Sequence, residues 1–294
     1  MSAVPQPGEL VVRRIPFEFP DDLDPAWSPH REWSHMVNGG SLVMPYLEPF
    51  LIATLKEAIE LIDDEEVIAE ARGFNGQEAQ HYKTHRRYNE LLKANGYPEL
   101  AEVESDMKRS YERHRKRSLA YRLAYACGFE TMTIGITKWF VSERAALFGG
   151  SDTRIASFVM WHFVEEAEHK RVAFDVYQAA CGGYWQRLLG TFIGSFDVFW
   201  WSRKGAVAML KADGLWRSPR SRIRLWRRTA EFFAAALPMI WRSASPRHDP
   251  RDEPDPEWVR EWIAGYARSE DGTVPLLDTN DPELPVPFRR EKAA

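Results

Sequence analysis

The feature that most constrains this chain is a Glu-x-x-His motif that occurs twice in segments with helical periodicity. The copies occupy residues 78–81 and 166–169. Side chains three positions apart lie on nearly the same face of a helix, so each motif can direct two groups toward one point. Apolar residues recur on the same faces, which predicts that both motifs are buried. Glu165 and Glu168 turn away from that face, toward solvent or toward the back of a ligand.

A single glutamate, Glu48 or Glu130, stands on the predicted helix before each motif. Residue 63 is midway between Glu48 and the first motif's glutamate, and it falls in the acidic break DDEE. Residue 148 is midway between Glu130 and the second motif's glutamate, beside a Gly-Gly turn. In an antiparallel helix pair, residues equidistant from the turn lie at the same height. We therefore expect each glutamate to face its own motif.

Four carboxylates without partners in a dry core would be costly, and their pKa values would rise until most were protonated. Bound divalent cations remove this conflict. Two Glu-x-x-His motifs and two further glutamates form the ligand set of di-iron and di-manganese carboxylate bundles. The sequence therefore predicts two metal ions, with iron preferred over manganese or zinc. The predicted ligands are Glu48, Glu78, His81, Glu130, Glu166 and His169.

Four more polar side chains lie within about a turn of these ligands. His85 and His162 are expected to orient a ligand rather than to bind metal directly. Thr133 and Thr137 share the face of the third-helix glutamate and could manage protons at the centre. The alternative is that both threonines bond to helix carbonyls, the more frequent use of threonine in a helix.

The pattern predicts an all-α protein in which the metal ligands lie on four long helices. These helices are predicted at 45–62, 65–94, 116–147 and 152–181, with a polar crossover near 98–115. Further helices are predicted at 184–213, 221–242 and 255–268. The domain organisation follows as an irregular arm (1–40), a four-helix di-metal bundle (41–182), C-terminal helices that cap it (183–245) and a Pro-rich tail with one short helix (246–294).

Two segments of the C-terminal region have alternative interpretations. Residues 188–201 are apolar but too short to span a bilayer, so core or a pocket lid is expected. Residues 217–242 combine arginines with large apolar side chains. A basic face over a domain or homodimer interface is preferred there, and contact with a membrane surface is the alternative.

Composition narrows the classes of function. The formal net charge is -4, from 39 basic and 43 acidic residues, so no global charge favours nucleic acid as a partner. Only two cysteines are present, and the N-terminal residues lack the apolar run of a signal peptide. Both observations predict a cytoplasmic protein.

The chain resembles the bacterial family labelled predicted metal-dependent hydrolases, within the ferritin-like superfamily. The resemblance covers about residues 15–250. It rests on FNGQEAQHYKTHRRYNELLKANGY, GFETMTIG and WHFVEEAEHKRVAFDVY, with MPYLEPF as a weaker first element. It implies a ferritin-like four-helix core with a di-metal centre at the six predicted ligands.

Three functions follow from such a centre. The leading hypothesis is a di-iron oxidase or oxygenase that activates O2 and acts on a small or lipid-like apolar substrate. No motif for a flavin, nicotinamide or iron–sulfur group was found, so its electrons would come from a separate donor protein. The alternative is a metal-dependent hydrolase, and metal storage or a structural metal comes third.

Overall fold

The protein is all-α, as predicted. The computed structural model describes residues 10–288, and these residues contain helices but no strand. Ten α-helices are joined by turns and three short 3-10 helices. The α-helices are α1 (Arg31–Ala58), α2 (Glu65–Ala94), α3 (Leu100–Arg115), α4 (Leu119–Ser142), α5 (Arg144–Phe148), α6 (Thr153–His169), α7 (Val172–Ala180), α8 (Tyr184–Ala212), α9 (Pro219–Ser243) and α10 (Glu257–Ala267).

The four segments that carry the predicted ligands pack on one another. Helix α1 lies along α2, α4 lies along α6 and α7, and contacts of α1 with α4 and of α2 with α7 close the group. The turns fall where the midpoint argument requires them. The carboxylate of Asp64 accepts from the first backbone N–H groups of α2, and that of Asp152 does the same for α6.

The first helix begins at Arg31, well before the predicted start at residue 45 and inside the arm predicted for residues 1–40. Pro45 and Pro49 lie inside α1. An interior proline costs about 3 kcal/mol. The buried apolar side chains along the whole of α1 offset that cost, and they include Trp33, Leu42, Leu47, Phe50, Leu51 and Leu55.

Two other predicted helices are divided. The predicted crossover is the helix α3, and the third predicted helix ends at Ser142, with the short α5 following it. The fourth helix is interrupted after His169. At this interruption Lys170 donates to the backbone carbonyl of Glu253 at 2.9 Å, and Arg171 pairs with Glu70.

Helix α8 matches the helix predicted at 184–213 and packs deeply against α1 and α4. Glycines allow this approach. A Cβ atom on Gly190 would lie 2.2 Å from the carbonyl oxygen of Ala124, and one on Gly39 would lie 2.1 Å from the carbonyl oxygen of Ser202. The backbones of α8, α1 and α4 therefore meet directly.

The opposite face of α8 carries an exposed apolar stripe, so residues 188–201 are only partly core. The stripe comprises Trp185, Leu189, Phe192, Phe196 and Trp200. Exposed Ile223 and Trp226 lie among the arginines of α9. Within residues 10–288, no helix is long and apolar enough to span a membrane.

The two ends of the described chain pack onto this helical body. The arm before α1 is irregular and buries Phe17 and Trp27. The segment after α10 buries Leu277 and Leu284, and the indole N–H of Trp258 donates to the carbonyl of Leu284 at 3.1 Å. The tail, as far as residue 288, thus contributes to the core.

Candidate metal centre

Five of the six predicted ligands share sets of donor atoms at the centre of the four helices, and the sixth, Glu130, is buried where the charge of Glu166 raises its pKa. Glutamate 48 lies in the middle of α1, and α4 contributes Glu130. Residues 78–81 are central in α2, whereas the second motif forms the last turn of α6. All six side chains are at most 1% exposed.

The donor atoms form one continuous cluster. Nδ1 of His169 lies 2.9 Å from an oxygen of Glu78 and 3.8 Å from one of Glu166, and Nδ1 of His81 lies 3.9 Å from oxygens of both glutamates. Four overlapping sets of three donors have all their atoms within 4.8 Å of one another. These sets are Glu48–Glu78–His81, Glu78–Glu166–His169, His81–His162–Glu166 and Glu48–His85–His162.

The carboxylates of Glu48 and Glu130 have no counter-charge of their own. Neither oxygen of either side chain has a hydrogen-bond partner among the described residues. Burial, and then the charge of neighbouring carboxylates, raises both pKa values well above the usual range. Oxygens in this condition need a proton or a cation. Because carboxylate oxygens and imidazole nitrogens suit divalent iron, manganese and zinc, these residues fit a metal.

Each ligand histidine makes a hydrogen bond through Nε2 to the residue that precedes the glutamate of the other motif. Nε2 of His81 lies 2.8 Å from a carboxylate oxygen of Glu165, and Nε2 of His169 lies 2.7 Å from the amide oxygen of Gln77. Each acceptor takes a proton from Nε2, so Nδ1 of each ring is the atom directed into the cluster. Although burial opposes it, hydrogen bonding to Glu166 and Glu78 raises the pKa of His169 well above its usual value. A bound metal would take the place of the proton on that Nδ1.

A buried arginine from the arm before α1 binds Glu165, the partner of His81. The guanidinium of Arg13 donates to Glu165 at 3.0 Å and to both oxygens of Glu168 at 2.5 and 2.9 Å. Burial raises the pKa of Glu165, and the positive charge of Arg13 opposes this shift. The chain Arg13–Glu165–His81 therefore links the arm to the cluster.

A second chain of hydrogen bonds fixes His85 and His162. The amide N–H of Asn89 donates to the Ser41 carbonyl at 2.9 Å, so its oxygen accepts from the Ser41 hydroxyl at 2.7 Å. That hydroxyl must then accept from Nδ1 of His85, at 2.8 Å. Burial, with the nearby charge of His162, keeps the pKa of His85 well below its usual value. Its neutral ring accepts at Nε2 from Nδ1 of His162, at 3.0 Å.

One atom at the end of this chain faces the cluster. Nε2 of His162 lies 3.1 Å from an oxygen of Glu166. Both atoms are acceptors if the ring is neutral, so the contact requires a proton or a cation between them. Although burial opposes it, hydrogen bonding from His162 and His169 keeps the pKa of Glu166 well below its usual value.

Thr133 and Thr137 differ in the hydrogen bonds that their hydroxyl groups make. The hydroxyl of Thr133 donates to the carbonyl of Glu130 at 2.7 Å, as the alternative interpretation expects, and Thr133 also lines the cavity beside the centre. The Thr137 hydroxyl is buried and has no partner among the described residues.

That cavity has a volume of about 140 Å³ and lies between α1, α2, α4, α6, α8 and α9. Most of its wall is aromatic or aliphatic, including Phe129, Ile136 and Phe158. His85 and His162 belong to its wall and also touch the donor cluster. A small apolar molecule in the cavity would therefore lie against the two histidines.

Sequence reasoning missed the roles of Arg13, Gln77, Ser41 and Asn89. One signal was present, because Gln77 and Glu165 each stand one position before a motif glutamate. The repeat therefore extends by one residue, and that residue binds the histidine of the other motif. Arg13 is far away in sequence and carried no comparable signal.

Comparison with known proteins supports the assignment of a metal site to this cluster. The family described as "Predicted metal-dependent hydrolase" matches residues 11–254, which include every residue of the centre and of the cavity. Neither curated proteins nor solved structures give a significant match. The match to the family spans most of the chain, and the protein belongs to the family of predicted metal-dependent hydrolases.

Proposed function

We propose that the protein is a hydrolase with two metal ions in a ferritin-like bundle, acting on a small molecule bound in the apolar cavity. The buried donor cluster supports a metal enzyme, and the family description favours hydrolysis over the oxygen chemistry expected first from the sequence. The residues that would hold the metal are Glu48, Glu78, His81, Glu130, Glu166 and His169.

When bound, the metal would polarise the scissile group and lower the pKa of a coordinated water. The protein's own residues supply the rest. Glu165 and Gln77 accept from Nε2 of His81 and His169, and so direct Nδ1 of each ring into the donor cluster. The apolar wall keeps bulk water away from the bound molecule, which strengthens electrostatic interactions at the site.

The observation that carries the proposal is the hydrogen-bond chain that ends at Nε2 of His162. Because Asn89 and Ser41 fix the direction of every bond, Nδ1 of His162 is committed to His85, and Nε2 is the one ring nitrogen of the chain left to exchange a proton. His162 lines the cavity, so a proton taken up at Nε2 can be given to a leaving group there. His85 holds the ring of His162 in place by accepting a hydrogen bond from its Nδ1.

Oxygen activation is the second candidate, and the carboxylate-rich donor set favours it. It requires a redox-active metal and the separate electron donor predicted above. Hydrolysis requires neither, since zinc has no redox chemistry of its own. Metal dependence therefore separates the two functions.

The first test is hydrolysis by metal-free protein reloaded with zinc or with iron, using 4-nitrophenyl hexanoate and ethyl hexanoate. We expect both loaded forms to cleave both esters. The variant Glu166→Gln should lose bound metal and activity, whereas Glu112→Gln, at an exposed position, should retain both. Activity confined to the iron form, with consumption of O2, would replace hydrolysis by oxygen chemistry.

The role of His162 has a separate test. In His162→Asn the side-chain amide can still donate to His85, but the group at Nε2 is lost. Ethoxide needs a proton to leave, whereas 4-nitrophenolate does not, so we expect a loss of about 100-fold for the ethyl ester and a much smaller loss for the nitrophenyl ester. Equal losses for both esters would remove His162 from proton transfer.

A further inference from the structure

One arginine is among the residues that line the apolar cavity. Arg203 of α8 lines the cavity and also an outer groove formed with α3, whose wall includes Lys211 and Trp216. His85 and His162 line the cavity but not the groove. Arg203 is thus shared by the cavity and the surface groove, whereas the two histidines belong to the cavity wall alone.

The guanidinium of Arg203 is positioned by aromatic rings and not by an acid. It lies 5.0 Å from the ring centre of Trp226 and 5.8 Å from that of Trp216. Among residues 10–288 it has no carboxylate partner, whereas the neighbouring Lys204 pairs with Asp106 at 3.0 Å and Arg228 pairs with Glu231 at 2.6 Å. Stacking fixes the plane of the group and leaves its N–H donors available for a ligand.

We propose that Arg203 binds the carboxylate of a small amphiphilic ligand whose apolar part fills the cavity. A guanidinium matches the two oxygens of a carboxylate, and a single unpaired cation suits a monoanion better than a doubly charged phosphate. An apolar cavity of about 150 Å³ holds a molecule of the size of benzene. The apolar part is therefore an aryl ring or a short acyl chain.

This ligand also defines a substrate class, and that extension rests on the proposed hydrolytic function. A molecule with its carboxylate at Arg203 presents its other end to His85 and His162. The bond to be cleaved then lies at the end remote from the carboxylate, as in a short dicarboxylic monoester.

The test measures binding without turnover. Hexanoate and its neutral isostere hexanamide are titrated into the purified full-length protein by calorimetry. We expect hexanoate to bind about tenfold tighter or more, the value of a charge-assisted hydrogen bond. Arg203→Met should remove this preference while hexanamide binding stays the same, which also shows that the cavity is intact. Arg222→Met, at an exposed position of α9, is the matched control.

Each outcome decides the proposal. Equal affinity for both ligands in the unmodified protein overturns it, as does the absence of binding by either. A preference for hexanoate that survives Arg203→Met assigns the anion to another group. Because no ester is cleaved in this experiment, the ligand class can stand if hydrolysis fails, and hydrolysis can stand if the carboxylate preference is absent.

Discussion

Loss of Arg13 should affect residues that lie far from it in the sequence. It is the only cation in contact with the fully buried Glu165 among residues 10–288, and Glu165 in turn holds His81. Removing one partner of a buried ion pair leaves an uncompensated charge, at a cost of about 3–5 kcal/mol. We therefore expect Arg13→Met to lower the free energy of unfolding by that amount, measured by urea denaturation.

The adjacent Arg14 provides the control, because it is exposed and Arg14→Met should change stability little. The double variant Arg13→Met, Glu165→Gln should recover part of the loss, since it removes the unpaired charge as well. An unchanged denaturation midpoint in Arg13→Met would contradict the role assigned to this arginine.

The same residues show how far sequence reasoning reaches at this scale. Motif spacing identified Glu78, His81, Glu166 and His169, and equal distance from the turn added Glu48 and Glu130. The structure places five of the six in shared sets of donor atoms, and the sixth, Glu130, is buried where the charge of Glu166 raises its pKa. Both arguments use helix geometry, which depends only on local sequence. Arg13 reaches the site through tertiary packing of an irregular arm, and no period in the sequence encodes such a contact.

At the scale of elements, the position of α8 depends on glycine. A Cβ atom on Gly190 would meet the backbone of α4, where nothing can move aside without separating the helices. We expect Gly190→Ala to destabilise the protein by several kcal/mol, as overpacking does when backbone must shift. Thermal denaturation would measure this.

Gly40, inside α1, is the matched comparison because an added Cβ there meets nothing within 4 Å. Alanine is better than glycine in a helix interior by about 0.5–1 kcal/mol, so Gly40→Ala should stabilise the protein. Destabilisation of the same size in both variants would show that close approach is not what the glycine at position 190 provides.

The sequence predicted which segments form helices better than it predicted the residues at which each helix begins and ends. Periodicity located α2, α8 and α9 to within a few residues. It placed the start of α1 too late, because the first part of this helix is stabilised by tertiary burial of residues such as Trp33. Local preferences are weak priors wherever a segment packs on several neighbours.

At the scale of the whole molecule, the metal centre and the core occupy the same place. The carboxylates come from α1, α2, α4 and α6, so repulsion among them acts on the contacts that join all four helices. The buried apolar side chains around them stabilise the fold. Metal binding should therefore appear as global stability and not only as activity.

We expect the metal-loaded protein to unfold at a higher temperature than the metal-free protein. A ligand at a hundred times its Kd adds about 2.7 kcal/mol, which for a chain of this size corresponds to roughly 5–10 °C. The double variant Glu48→Gln, Glu130→Gln should be more stable than the unmodified protein without metal, because it removes two unpartnered carboxylates, and should gain nothing from metal. Scanning calorimetry of both proteins, with and without metal, measures all four states. Equal unfolding temperatures for the metal-free and metal-loaded unmodified protein would mean that these carboxylates do not hold the ion.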